Sequence, residues 1–139
     1  MRWLWMMGLV GCVRVEQTFE DSLSSEGVTF VQMVTDQGSV SYDGRALNET
    51  FTFRGESVGR GDSKKKAAKH EEGNTYDVRV IEDALFASGT SAHNRASVSF
   101  DLVGPGVMDT VTHAIEGRVT LENVEGIHTI DCESALLRN

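Results

Sequence analysis

The 139-residue chain has two cysteines, one proline and no lysine outside a single six-residue stretch. Two cysteines allow at most one disulfide, so a disulfide framework is excluded and packing with hydrogen bonding must supply stability. The longest apolar run, Trp3 to Val10, falls far short of the ~20 residues that cross a bilayer as a helix, which excludes a permanent helical anchor. Positive charge is scarce: 13 Lys and Arg against 21 Asp and Glu give a net charge of −8. Such a surface repels phosphate backbones and excludes nucleic acid as the partner. Both tryptophans, Trp3 and Trp5, sit in the first run. Sugar-stacking capacity elsewhere is therefore left to Tyr42, Tyr76 and phenylalanines that mostly alternate inward.

Signatures of catalysis are lacking as well. There is no Gly-x-Ser-x-Gly elbow beside His93-Asn94-Arg95. The glycines from Gly55 to Gly61 lack the Gly-Lys-Ser/Thr ending of a phosphate loop and read as a flexible connection. Of the histidines His70, His93, His113 and His128, none has metal-ligand spacing. The nearest acid and imidazole group is Asp109, His113 and Glu116, and on a strand His113 and Glu116 point to opposite faces. We expect no enzyme, no cofactor and no metal. Asn48-Glu49-Thr50 matches a glycosylation sequon.

What is present begins at the N-terminus. Arg2 precedes the apolar run, and the run ends in Gly11 and Cys12, the plan of a secretory signal peptide over residues 1–11. Leu9-Val10-Gly11-Cys12 resembles the lipobox of bacterial lipoproteins. That resemblance implies a diacylglyceryl group on the Cys12 thiol, with cleavage leaving Cys12 as the new N-terminus, and hence a membrane as one partner. Val13, in place of the aspartate that favours inner-membrane retention in enteric lipoproteins, leans the expected location toward the outer membrane. With Cys12 lipidated, Cys132 has no intramolecular partner, and its alternating surroundings favour burial.

Residues 12–27 read as a lipidated, acidic tether, and 28–139 as one β-rich domain. Alternation predicts strands at Val28–Thr35, Ser39–Tyr42, Asn48–Arg54, Thr75–Ile81 and Ser97–Val103, and at the pieces between the glycines at 106, 117 and 126 and on to Cys132. Glu82 to Arg95 reads as a surface loop around Ser88-Gly89-Thr90-Ser91. One helix is expected near 63–72, capped by Asp62 or Ser63 and closed by Gly73. Its lysines crowd the first turns and its glutamates the last, against the helix dipole, so it should depend on docking Ala67 and Ala68. Lys64, Lys65, Lys66 and Lys69 are candidates for contact with an anionic lipid or polysaccharide, against the simpler reading of a solvated helix face.

The order of Gly38-Ser39-Val40-Ser41-Tyr42-Asp43-Gly44, Phe51-Thr52-Phe53, Tyr76-Asp77-Val78-Arg79-Val80, Val98 to Pro105 and Gly117 to Gly126 resembles the bacterial "putative adhesin" domain of unknown function. The resemblance spans Val28 to Cys132 and rests on glycines and alternation, with Arg118 and Ile127 where rungs of that family often carry aspartate. It implies an all-β fold of β-solenoid or parallel β-helix type, with an antiparallel meander or a sandwich as the alternative. It also implies either a short member of that family or a last rung whose open edge needs a cap or a partner. The function expected is that of a lipid-anchored, non-enzymatic envelope protein for adhesion or assembly, its partner an envelope protein or polysaccharide. The alternative is a periplasmic or surface binding or sensing protein acting through a protein partner.

Overall fold

The structure is a computed structural model that describes residues 12–46 and 49–138. The expected leader and the sequon residue Asn48 lie outside the described residues. The described chain forms β1 (Val13–Ser24), β2 (Phe30–Gln37), β3 (Val40–Asp43), β4 (Thr50–Gly61), α1 (Lys64–Glu72), β5 (Thr75–Ile81), β6 (Ala84–Thr90), β7 (Ala96–Val103), β8 (Asp109–Glu122) and β9 (His128–Arg138).

All nine strands belong to one mixed sheet. Its centre is a set of parallel rungs. β2 and β3 lie along β8 in a single register, Phe30 opposite Asp109 through Gln37 opposite Glu116, then Val40 opposite Val119 to Asp43 opposite Glu122. On their other side β6 pairs with β2 and β7 with β3, also parallel. Beyond β8, β9 adds in parallel with a register shift between Ala114 and Arg118. Each rung bends midway. Gly38 sits at the bend with φ +134, where a Cβ would run into the Val98 backbone, so only glycine fits.

Beyond the rungs the two halves of the sheet diverge. β4 and then β1 extend the β7 half in antiparallel fashion, and β5 extends the β6 half. The inner faces enclose Val31, Met33, Val40, Tyr42, Phe51, Phe53, Leu85, Val98, Phe100, Leu102, Val119 and Leu121, all buried. Phe19 of β1 stacks on Tyr76 of β5 between the outer strands. The result is a curled half-barrel, mostly β, and nearer the sandwich alternative than a solenoid. In a solenoid successive coils stack in chain order, whereas here the β2–β3 rung lies between β6–β7 and β8.

Three local expectations are corrected. Val13–Ser24 is not a tether but a strand paired along its whole length with β4, and Phe19 and Leu23 pack against the core. Its alternation is broken at Gln17 and Asp21, which stay exposed because β1 lies at the sheet's edge. Glu82–Arg95 contains β6, whose inward residues Ala87 and Gly89 are small because Val98 and Phe100 occupy the space beside Gly89. Finally, Gly55–Gly61 is the second half of β4, with Phe19 lying over Gly55 and helix α1 over Gly59 and Gly61.

Candidate functional site

Helix α1 forms where the sequence places it, and its docking decides where its charges go. The Ser63 hydroxyl accepts the Lys66 N–H at 3.2 Å and caps the N-terminus. Ala67 is fully buried, and a Cβ on Gly59 would strike its carbonyl and the Glu71 backbone. Glu71, one turn on, faces inward with Ala67, and its carboxylate accepts the Ser57 hydroxyl at 3.4 Å. With Ala67 and Glu71 inward, Lys64, Lys65, Lys66 and Lys69 are all exposed.

The helix does not carry this charge alone. The turn between β6 and β7 folds against it, and the imidazoles of His70 and His93 stack with centroids 3.9 Å apart and planes 10° off parallel. The Arg60 carbonyl lies 2.6 Å from His70 Nδ1 and can only accept, so that nitrogen carries a proton. His93 Nδ1 accepts the Arg95 N–H at 3.1 Å and is therefore unprotonated. The two Nδ1 atoms thus play opposite parts, donating in His70 and accepting in His93. Arg95 also reaches Asp62 at 3.3 Å, tying the turn to the start of the helix. Asp62, Lys66, Lys69, His70, His93 and Arg95 line an open groove of about 620 Å³. The lysines were legible as a charge run. His70, His93 and Arg95 were not, because their convergence depends on β6, which reads as loop.

Cys12 is exposed and immediately precedes β1. Val13 lies opposite Gly61, two residues before the helix cap Ser63, and α1 packs on both β1 and β4. Cys12 and the basic helix thus share the bend end of the domain.

A second feature is β9, which pairs with β8 on one side only. Ile130 and Cys132 pack against the core, and Cys132 is half-buried where its alternation predicts full burial, because β9 lies at the sheet's edge. Leu137 lies opposite the buried Leu121 yet is 60% exposed, and Leu136 is exposed as well. An open cavity of about 390 Å³ lies along this edge, lined by Leu121, Val124, His128 and Leu137 among others. The core face therefore continues past the last rung without cover among the described residues.

The remaining candidates disperse. His113 Nδ1 meets Asp131 across the β8–β9 pair at 3.0 Å, Asp109 accepts the Ile127 N–H at 2.9 Å, and no group of three ligating side chains forms among the described residues. At the end opposite the helix, Asp43 is gripped by Arg45 at 2.6 to 3.0 Å and by Asn123 at 3.2 Å. The hydrogen bonds from Arg45, with a smaller one from Asn123, hold its carboxyl below the usual range.

No family model and no curated protein matches the chain. Among solved structures it is similar to one described as a "putative cell adhesion protein" from Clostridium sporogenes, with a TM-score of 0.53 and 6% identity. The match covers 87% of this chain and 59% of that one. Two further structures are described as "putative adhesin" proteins. One, from Bacteroides fragilis, has a TM-score of 0.35 and 9% identity over 87% of this chain and 55% of that one. The other, from Parabacteroides distasonis, has a TM-score of 0.39 and 7% identity over 88% and 55%. The chain thus spans less than two thirds of the length of each.

Proposed function

We propose that this protein is an exported, non-enzymatic module of a bacterial envelope, held at a membrane by lipid on Cys12, whose β domain serves adhesion or assembly. The observation that carries the reading is the β9 edge, where the core face runs out to an exposed Leu137 on a strand whose second side has no partner among the described residues. A partner strand laid there would gain main-chain hydrogen bonds and cover apolar side chains together. The apolar character of the edge favours assembly with a protein partner over multivalent contact through a polar face, and it suits equally the second reading, a surface binding or sensing protein. Likeness of fold to a protein described as a cell adhesion protein supports the first of these. Val13 after Cys12 leans the location toward the outer membrane.

Two measurements test this. Wild type and Cys12→Ala are expressed with a labelled palmitate precursor and the membranes are fractionated; label and membrane association should be lost in the variant, and equal values in both overturn the anchor. Leu137→Lys places a charge on the open edge, a device that blocks strand addition. Cells displaying that variant should lose adhesion or co-assembly while keeping fold and membrane association, and unchanged adhesion overturns the role of β9.

A further inference from the structure

We infer that the bend end of the domain is a membrane-docking face, in which the lysines of α1 bind the phosphate-bearing headgroups of an anionic lipid surface beside the lipid on Cys12. The inference rests on the reading of Cys12 as the lipidated residue, and it adds which face of the domain meets the membrane.

Its first support is position. Because β1 begins at Val13, no spacer separates Cys12 from the folded domain among the described residues. Val13 opposes Gly61 on the neighbouring strand, so Cys12 lies about one strand spacing from the segment that opens α1. A lipid there would hold the helix at the headgroups.

The second support is charge. The chain carries a net −8, and all four of its lysines lie on this one helix. An anionic leaflet repels the rest of the domain. Screening limits electrostatic contact to about 8 Å at physiological salt, so only charges near the anchor act on the surface. Those charges include Lys64, Lys65, Lys66 and Lys69, all exposed, with Arg60 and Arg95 close by, and they outnumber the exposed Asp62 and Glu72 of the same segment. The acid lining the groove, Asp62, is engaged by Arg95.

Shape is the third support. Lys66, Lys69, His93 and Arg95 face a groove of about 620 Å³, a volume in the range of small-molecule sites and able to take a headgroup. Acyl chains on Cys12 would supply attachment, and the lysines would set orientation, turning the acidic remainder and the β9 edge away from the bilayer surface.

The test uses the full chain carrying Cys12→Ser, which cannot be acylated, so its outcome is independent of the palmitate experiment. Flotation is measured with vesicles of phosphatidylcholine alone and with vesicles enriched in phosphatidylglycerol; the apolar leader contributes to both. Binding to the anionic vesicles should be tighter and should weaken with added salt. Combining Lys64→Glu, Lys65→Glu, Lys66→Glu and Lys69→Glu should lower it by on the order of a thousandfold, with the far-UV spectrum unchanged. Equal binding of parent and variant, or no preference for anionic vesicles, overturns the inference. Displacement of the protein from anionic vesicles by polygalacturonate at matched charge overturns it in favour of a polysaccharide ligand.

Discussion

Phe19 and Tyr76 stack face to face, with ring centroids 3.5 Å apart and planes 1° from parallel, although their strands lie at opposite ends of the sheet's hydrogen-bonded order. The pair therefore joins the two halves of the curled sheet where no backbone ladder does. Phe19 also contacts Phe53 and Phe100, which carries the contact into the core.

A double-mutant cycle on this pair should be non-additive. Stacked aromatic pairs contribute about 0.5–1.5 kcal/mol beyond area burial. Phe19→Leu and Tyr76→Leu, alone and together, should give a coupling of about 1 kcal/mol in urea unfolding. Additive losses would mean that the halves are held together by the rungs alone.

The docking of α1 gives a second expectation. A Cβ at Gly59 would meet the Ala67 carbonyl and the backbone of Glu71, contacts that a flexible side chain cannot relieve. Gly59→Ala should cost about 1–3 kcal/mol, the usual range for overpacking, and Gly59→Val should displace the helix altogether. Hydrogen exchange of the Ala67 and Glu71 amides reads this directly. Protection unchanged in Gly59→Val would show that the helix does not depend on the glycine face.

These glycines mark where the fold was legible and where it was not. Val98, Phe100 and Leu102 alternate with polar neighbours, and β7 follows from the chain as written. α1 is equally plain, through Ser63, Gly73 and the charge run. β6 and the second half of β4 escape because most of their inward positions, Ala87 and Gly89 in β6 and Gly55, Ser57, Gly59 and Gly61 in β4, hold small residues that carry little hydrophobic signal. Those residues are small because Phe19, α1, Val98 and Phe100 press against them. The missing signal is thus a consequence of tertiary packing. The candidate site divides in the same way: the lysines show as composition, but their place beside Cys12 follows only from pairing β1 with β4.

Tyr42 supports the loops at the far end. Its hydroxyl donates to the Pro105 carbonyl at 2.7 Å, and burial, with a smaller effect of the neighbouring Asp43 charge, raises its pKa above that of an ordinary phenol. Tyr42→Phe should destabilise by about 1 kcal/mol, the cost of losing a hydrogen bond to a half-buried carbonyl. In alkaline titration followed by ultraviolet absorbance, one phenol should ionise well above the ordinary value of about 10, and that late step should vanish in the variant. A late step that persists would assign it elsewhere.

Asp43 should make stability depend on acid. Its hydrogen bonds from Arg45 and Asn123 favour the carboxylate and lower its folded-state pKa below the unfolded value of about 3.9. The unfolded chain therefore takes up the proton first as pH falls. The contribution of Asp43 is complete above the unfolded value and is lost as pH drops through the folded one. Asp43→Asn keeps the shape but removes the charge that Arg45 grips, so it should be less stable than wild type near neutrality. The gap should narrow only below about pH 4, where the wild-type carboxyl begins to protonate in the unfolded chain. Arg45 is itself largely exposed, so the effect should be small and should shrink with added salt. Urea midpoints for the two proteins across this acid range decide the matter, and a gap that stays constant from neutrality to the lowest pH would show that the Asp43 carboxylate is not what Arg45 stabilises.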